Sequence, residues 1–136
     1  MSETLENLKK QFILDEDMEH ENLQSLVERA LKFCKVDKSG HVVINKPDLT
    51  MMDKIMLVLV ARHLGNRLQL KLGGESTIKE EVTSEELAKM MSADKAVISA
   101  RLKDLKDKKM AAPVDLGSYK VTSYAVDGFI KKLEGL

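Results

Sequence analysis

The chain has no tryptophan, few other aromatic residues and a single cysteine. Because aromatic residues make up only 4% of it, leucine, isoleucine, valine and the eight methionines must build the core. One cysteine, Cys34, cannot form a disulfide within the chain, which favours a reducing compartment and a cytoplasmic location. The first residues lack the basic and apolar regions of a secretory signal, so we expect no secretion.

Net charge is also lacking, since twenty-two basic residues balance twenty-two acidic ones. A neutral protein has no overall attraction to nucleic acid or to an anionic membrane, so such binding would require a local basic patch. The composition, with 43% hydrophobic and 32% charged residues, is that of an ordinary globular protein. A length of 136 residues predicts one domain, or one small domain with an extension.

The longest nearly unbroken apolar run is residues 55–64, which should be buried on every side. Thr50 and Asp53 before it form a variant of the capping box, and Gly65 after it tolerates the left-handed conformation that ends helices. These signals predict a buried helix over residues 51–65, although the β-branched residues in the run would also suit a central strand. The run is too short to span a membrane.

Residues 1–48 predict a helical extension with a small hairpin. A short amphipathic helix over residues 3–13 is followed by an acidic connection and a second amphipathic helix over 18–34. A turn at residues 37–40 then leads into an extended segment over 41–44. If the apolar face of these helices folds back on the central helix, a monomer becomes the expected state. If that face is exposed, we expect two copies to pair.

Residues 67–72 alternate strictly between leucine and polar residues, which argues for a strand, with a continuation of the central helix as the alternative. A polar loop over residues 73–77 follows. The pattern leaves open whether the stretch from 67 to 83 adds a strand to a later sheet.

Signals of catalysis, metal binding and cofactor binding are missing. His20, His41 and His63 are spread over three segments without the spacing of zinc ligands. The glycine pair at 73–74 is not followed by the Gly-Lys-Ser/Thr run of a phosphate-binding loop. We therefore predict no metal, no cofactor and no enzymatic activity.

The clearest local signature is Thr83-Ser-Glu-Glu86, a capping box that predicts a short helix over residues 84–91. A turn follows, and then a longer helix over 94–108 whose apolar residues recur at a spacing of four and three. Residues 110–114 and 119–122 predict two short strands joined by a loop. An amphipathic helix from about residue 123 closes the chain.

This order of elements is that of a winged helix-turn-helix, and residues 82–110 resemble the helix-turn-helix of microbial winged-helix proteins. The motifs that carry the resemblance lie at residues 84–88, at 97–102 and at Leu105, and residues 119–122 are similar to the last strand of such domains. The whole chain looks like small archaeal winged-helix DNA-binding proteins.

The resemblance covers roughly residues 50–136. We therefore predict an α+β, mainly α fold, with an N-terminal helical extension over 1–48 and a winged-helix domain over 49–136. By the same resemblance, the helix over 94–108 enters a major groove and the loop over 114–119 lies along a phosphate backbone.

The function that the resemblance implies is that of a DNA-binding transcriptional regulator, with DNA preferred over RNA as the partner. Winged-helix regulators commonly pair two DNA-binding domains, so a homodimer through the N-terminal helices is the expected assembly. The candidate nucleic-acid-binding residues are Lys95, Ser99, Arg101, Lys103, Lys106 and Lys120.

The residues of the helix over 94–108 also favour an alternative function. Its outward face offers small residues and mixed charges rather than the Arg, Asn or Gln side chains that read base edges. Asp104 and Asp107 would meet phosphate unfavourably. The alternative function is therefore a winged helix that contacts RNA, the ribosome or a protein partner, and the lysines would then pair with aspartates on a solvated helix face.

Overall fold

The computed structural model describes residues 4–8, 16–115 and 117–136. Most of the first predicted helix therefore lies outside the described residues, although 4–8 are helical. The fold is α+β and mainly helical, with 57% of the residues in helices and two small antiparallel sheets. The further elements are α1 (Glu16–Ala30), β1 (Cys34–Val36), β2 (Val42–Ile44), α2 (Met51–Gly73), β3 (Val82–Thr83), α3 (Ser84–Met91), α4 (Lys95–Asp107), β4 (Ala111–Pro113), β5 (Ser118–Val121) and α5 (Ala125–Glu134).

Helix α2 is the centre of the fold. No residue from 55 to 64 is more than 4% exposed, which confirms that this apolar run is buried on every side. The helix begins as predicted, because the side-chain oxygen of Thr50 accepts a hydrogen bond of 3.1 Å from the backbone N–H of Asp53. The carboxylate of Asp53 does not complete the predicted capping box but accepts from the ammonium of Lys132 over 2.9 Å. It ends where Gly74 adopts a left-handed conformation with φ of 74° and donates its N–H to the carbonyl of Leu70.

The predicted end of this helix at Gly65 is wrong, and so is the predicted strand over residues 67–72. The structure has the alternative there, a continuation of the central helix to Gly73. Gly65 lies inside the helix, where its missing side chain allows close packing. A Cβ atom there would lie 2.9 Å from Cγ1 of Val36 and 3.0 Å from Cδ1 of Ile78. The next residue, Asn66, donates its side-chain amide to the carbonyl of Ile78 over 2.8 Å. Both residues thus serve tertiary packing rather than helix termination.

The two sheets follow different parts of the chain. Strands β1 and β2 form the predicted hairpin, with Cys34 opposite Ile44, so Cys34 belongs to a strand and not to the preceding helix. In the second sheet β5 lies between β3 and β4, and both pairings are antiparallel. The stretch before α3 therefore does add a strand, because Val82 pairs with Tyr119.

Helices α3 and α4 are joined by a short turn. The capping box at the start of α3 is present, since the N–H of Glu86 donates to the Thr83 hydroxyl oxygen over 3.1 Å and the Glu86 carboxylate accepts from the Thr83 N–H over 3.4 Å. Helix α3 covers residues 84–91 as predicted, and it ends at Ser92, whose φ is 50°. Helix α4 is one residue shorter at each end than the predicted helix over 94–108.

One hydrophobic cluster joins both parts of the predicted division at residue 48. From the N-terminal part it contains Leu23, Ala30, Phe33, Cys34 and Val42. These residues lie against the same core as the buried residues of α2 to α5. The apolar face of α1 therefore folds back on the central helix.

A charged contact also holds α1 to the last helix. The guanidinium of Arg29 lies 2.7 Å from a carboxylate oxygen of Asp127 and 2.7 Å from one of Glu134. Both carboxyls have their pKa lowered, chiefly by the hydrogen bond from Arg29. Within the residues that the structure describes, none of the helices combines the length and the apolar character that a membrane crossing requires.

Candidate nucleic-acid interface

Helix α4 is held by one buried side and exposes the other. Ile98, Leu102 and Leu105 are at most 1% exposed, and this side packs against α2, α3 and β4. Because the three residues recur at a spacing of four and three, they determine which side of the helix faces solvent. The predicted buried face is therefore confirmed, and the candidate residues of α4 can be placed around it.

Four of the candidate residues form a stripe along α4, which we call the α4 stripe. It consists of Lys95, Ser99, Lys103 and Lys106, all of which are exposed. At about 100° of rotation per residue, the spacings of four, four and three place these side chains on one shoulder of the helix. Lys95 also lies 3.4 Å from the carboxylate of Glu85 on α3, in an exposed ion pair that contributes little energy.

Arg101 does not lie on the α4 stripe. It is two residues from Lys103 and so points about 160° away from it around the helix. Its Nε atom is 3.0 Å from a carboxylate oxygen of Asp104, one turn further along the same helix. On the same shoulder, the ammonium of Lys108 lies 3.9 Å from the sulfur of Met52 on α2. Arg101 is thus directed toward another side of the domain, with its charge already paired.

Lys120 belongs to the middle strand β5 and is half-buried. Its positive charge acts on Glu80, which lies 2.7 Å from Nδ1 of the buried His63. Burial, the largest single influence on Glu80, raises the pKa of that carboxyl. The hydrogen bond from His63 and the charges of His63, Arg67 and Lys120 together outweigh burial, so the pKa lies below its usual value.

The loop between β4 and β5 is short. The N–H of Val114 donates to the carbonyl of Ser118 over 3.0 Å, and the N–H of Ser118 donates to the carbonyl of Asp115 over 3.1 Å. Gly117 closes the turn with φ of 82°, a conformation that suits glycine. The loop positions that the structure describes carry the acidic Asp115 and no basic side chain, while Leu116 lies outside the described residues. The loop thus offers little to a phosphate backbone.

The centre of the outward side of α4 is made of small residues. Ala96 and Ala100 are exposed, and Val97 beside them is 45% exposed. These side chains can contact a thymine methyl group but cannot donate hydrogen bonds to base edges. From residue 95 to 109 the chain has six basic residues and two acidic ones, so this neutral protein carries a local excess of positive charge here.

Arg62, which the sequence patterns did not single out as a site residue, joins the central helix to the segment before β3 and to α3, the helix that precedes α4. Its side chain is buried, and the guanidinium donates to the carbonyls of Lys79 over 2.6 Å and Glu81 over 3.0 Å. It also lies 3.3 Å from the carboxylate of Glu86 in α3. The sequence signal for this role is a charged residue in the middle of an apolar run. A guanidinium that is buried with such a run needs hydrogen-bond partners for its donors, so Arg62 could be expected to join several segments.

The described part of the chain contains no group of three or more His, Cys, Asp or Glu side chains arranged to hold a metal ion. The thiol of Cys34 is buried, and burial raises its pKa to about 11. Its Sγ atom donates to the carbonyl of Ala30 over 3.6 Å. No protein-family model, curated protein or solved structure matches this chain.

Proposed function

We propose that this protein is a winged-helix nucleic-acid-binding protein without enzymatic activity, that it prefers duplex DNA over RNA, and that it acts in transcription regulation. The single observation that carries the proposal is the α4 stripe, in which Lys95, Ser99, Lys103 and Lys106 are exposed along one shoulder of a helix. A row of this length with three ammonium groups and a hydroxyl is suited to contact with successive phosphates.

The order of the elements supports the assignment to the winged-helix class. From α2 onward the chain runs helix, strand, two helices, two strands and a closing helix. The last strand β5 lies between β3 and β4, as expected when a hairpin pairs with a short strand that precedes the two helices. In such domains the second of the two helices enters the major groove, and here that helix is α4.

The charge distribution supports contact with the backbone more than reading of base sequence. Phosphate contacts from lysine give affinity and register, whereas sequence is read at base edges. The α4 stripe supplies contacts to phosphates. At base edges, the neighbouring Ala96, Val97 and Ala100 supply only apolar contacts. The proposed binding is therefore strongly dependent on salt and of modest sequence preference, with some favour for thymine.

The test is a fluorescence-anisotropy titration with labelled duplex DNA and a structured RNA, at about 50 and 200 mM salt. The proposal predicts that duplex DNA binds more tightly than RNA and that its affinity falls steeply with salt. Tighter binding to RNA would contradict the DNA preference. Failure to bind either at tens of micromolar, roughly the middle of the usual non-specific range, would contradict the nucleic-acid function as a whole.

A second candidate function is contact with a protein partner through the same helix. The observation that favours it is the exposed apolar centre formed by Ala96, Val97 and Ala100, with the acidic Asp107 beside it. A surface with small apolar residues and both signs of charge is compatible with a protein interface. A Val97→Glu variant that still binds DNA as the wild type does, but loses a co-purifying partner, would favour this second function.

A further inference from the structure

Helix α4 ends in a turn that glycine usually closes, and in this chain a lysine closes it. The N–H of Lys109 donates to the carbonyl of Lys106 over 2.9 Å, and the N–H of Met110 donates to the carbonyl of Leu105 over 2.9 Å. This pair of hydrogen bonds is the Schellman motif, in which the residue after the helix cap is left-handed and is most often glycine. Lys109 occupies that position with φ of 61°, a conformation that disfavours any residue with a Cβ atom.

Two other non-glycine residues in the described part of the chain have a positive φ. Asp48 has φ of 64° and Ser92 has φ of 50°. Aspartate and serine have short polar side chains that can form hydrogen bonds with the backbone beside them, which makes such conformations easier to adopt. Lysine has only an ammonium group at the end of a long chain, and Lys109 is exposed. Its side chain therefore does not offset the backbone strain in this way.

The peptide group after Lys109 is held by two hydroxyl groups. The hydroxyl of Thr122 donates to the carbonyl of Lys109 over 2.9 Å, and the hydroxyl of Tyr124 donates to the same carbonyl over 2.7 Å. A strained conformation persists where the contacts around it hold it in place. The left-handed turn is thus maintained by backbone and hydroxyl contacts, and none of them involves the lysine side chain.

A favourable effect of positive charge on the end of α4 does not require Lys109. Cations near the C-terminus of a helix stabilise it. Helix α4 already has Lys106 in its last turn and Lys108 at its cap. Glycine at position 109 would remove the strain and leave both of these charges in place. Contact with another molecule therefore accounts for a lysine here better than the stability of the fold does.

Lys109 lies at the end of the α4 stripe. Its N–H is bonded to the carbonyl of Lys106, the last residue of the stripe, so its backbone lies within one turn of that residue. With Lys109 the row has four ammonium groups over about 20 Å, since the rise of a helix is about 1.5 Å per residue.

We propose that Lys109 is a further phosphate contact of this surface, and that its left-handed backbone fixes the direction in which the side chain leaves the end of α4. The inference rests on the proposed nucleic-acid function. It adds that the protein keeps this contact at a cost in stability, as functional sites commonly do.

The first experiment compares the melting temperature and the DNA binding of Lys109→Gly with those of the wild type. The variant should melt about 2–4 °C higher, because the strain is removed. It should bind duplex DNA roughly tenfold more weakly at about 50 mM salt, and the slope of log affinity against log salt should fall by about one. A variant that keeps the affinity and the slope, or one that melts below the wild type, overturns the inference.

Two control variants separate the charge from the backbone conformation. Ser92→Gly removes the strain at the end of α3 without a change of charge, so it should raise the melting temperature and keep the salt slope. Lys109→Arg keeps both the charge and the strained backbone, so it should keep the melting temperature and the slope of the wild type. A reduced slope in either control contradicts the assignment to the charge of Lys109.

The wild type and one further variant separate this inference from the proposed function. A wild type that does not bind duplex DNA overturns both. If the slope falls in Lys103→Ala but not in Lys109→Gly, the proposed function stands and only the inference about Lys109 is overturned.

The second experiment is acetylation of lysines in the full chain, followed by mass spectrometry, with and without duplex DNA. It does not depend on a change of stability, because the protein is the wild type. Lys109 should react more slowly in the complex, whereas Lys38, an exposed lysine in the turn of the hairpin, should react at the same rate in both samples. If DNA protects Lys103 but leaves the rate at Lys109 unchanged, the inference is overturned.

Discussion

Nη1 of Arg62 lies 2.8 Å from the carbonyl oxygen of Gly40, in a hydrogen bond that joins the middle of the central helix to the turn of the N-terminal hairpin. Gly40 has φ of 94°, and a Cβ atom at this position would lie 2.7 Å from the same nitrogen. The rest of the guanidinium reaches the segment before β3 and the start of α3. One buried arginine therefore connects the hairpin, the central helix and α3, the helix that precedes α4.

Replacing Arg62 by leucine should destabilise the protein by about 3–5 kcal/mol, because it leaves three carbonyl groups, that of Gly40 among them buried, and a carboxylate without their donor. Urea denaturation monitored by circular dichroism measures this change. Lys103→Ala, on an exposed part of α4, is the control and should change the free energy of unfolding by less than about 0.5 kcal/mol. A loss for Arg62→Leu as small as that of the control would contradict the role of this residue.

Gly40→Ala should disturb the same contact from the other side, because the new methyl group occupies the place of Nη1 in a conformation that suits glycine. We expect a loss of about 1–3 kcal/mol. Since the two residues touch, the losses in Arg62→Leu and Gly40→Ala should not add in the double variant. Strict additivity in a double-mutant cycle would show that the hydrogen bond does not couple them.

Replacing two helical glycines by alanine should change the stability of the protein in opposite directions. Gly65→Ala should destabilise the protein by about 1–3 kcal/mol, since its Cβ would lie 2.9 Å from Val36 and 3.0 Å from Ile78, and overpacking outweighs the better helix propensity. Gly128→Ala in α5 meets nothing within 4 Å and should stabilise by up to about 1 kcal/mol. Thermal melts of both variants measure the difference. A stabilised Gly65→Ala would show that Val36 and Ile78 move aside easily.

Loss of the capping box should weaken α3 by a predictable amount. Thr83→Ala removes the oxygen that accepts from the N–H of Glu86, and such a loss costs about 0.5–2 kcal/mol. Thr83→Ser keeps a hydroxyl in the same place and should cost much less. Equal losses for the two variants in urea denaturation would mean that packing of the threonine methyl group, rather than the cap, is the stabilising contact.

The free energy of unfolding should depend on pH through the ionisation of the Glu80 carboxyl. The pKa of this carboxyl is lower in the folded protein than its ordinary value of 4.5, so its ionised form stabilises the fold at neutral pH. That contribution is complete above about pH 4.5 and is lost as the pH falls through the lower folded pKa. Glu80→Gln should therefore be less stable than the wild type at pH 7 and should show a shallower decline below pH 4.5. Parallel pH profiles of the two proteins would contradict this.

The parts of the fold that the sequence predicted are those with local signals. A capping box marks the start of α3, and apolar residues at a spacing of four and three mark the buried side of α4. The alternation over residues 67–72 suited either a strand or a continuation of α2, and the structure has the continuation. Gly65 does not end the helix, because it packs against Val36 and Ile78, which are distant in sequence. The strand β3 has two residues, too few for a periodic pattern.

The sequence predicted which basic residues are exposed near α4 better than it predicted which of them share one side of the helix. Sequence reasoning grouped Arg101 and Lys120 with the other four residues, since all belong to the same stretch of predicted elements. Residues two positions apart in a helix, such as Arg101 and Lys103, lie on nearly opposite sides of it. Arg101 is also paired with Asp104. Lys120 belongs to a strand and acts on Glu80 instead. Their part in binding remains a prediction, whereas the α4 stripe has the geometry of a continuous contact.

The most direct test of the account is the salt dependence of duplex DNA binding in a variant that removes the charges of the α4 stripe. Lys95→Ala, Lys103→Ala and Lys106→Ala together should weaken binding and reduce the slope of log affinity against log salt by about three. The matched control replaces Lys38, Lys79 and Lys131, three exposed lysines outside α4, by alanine and should leave the slope unchanged. Equal slopes for the two triple variants would contradict the assignment of α4 as the binding surface.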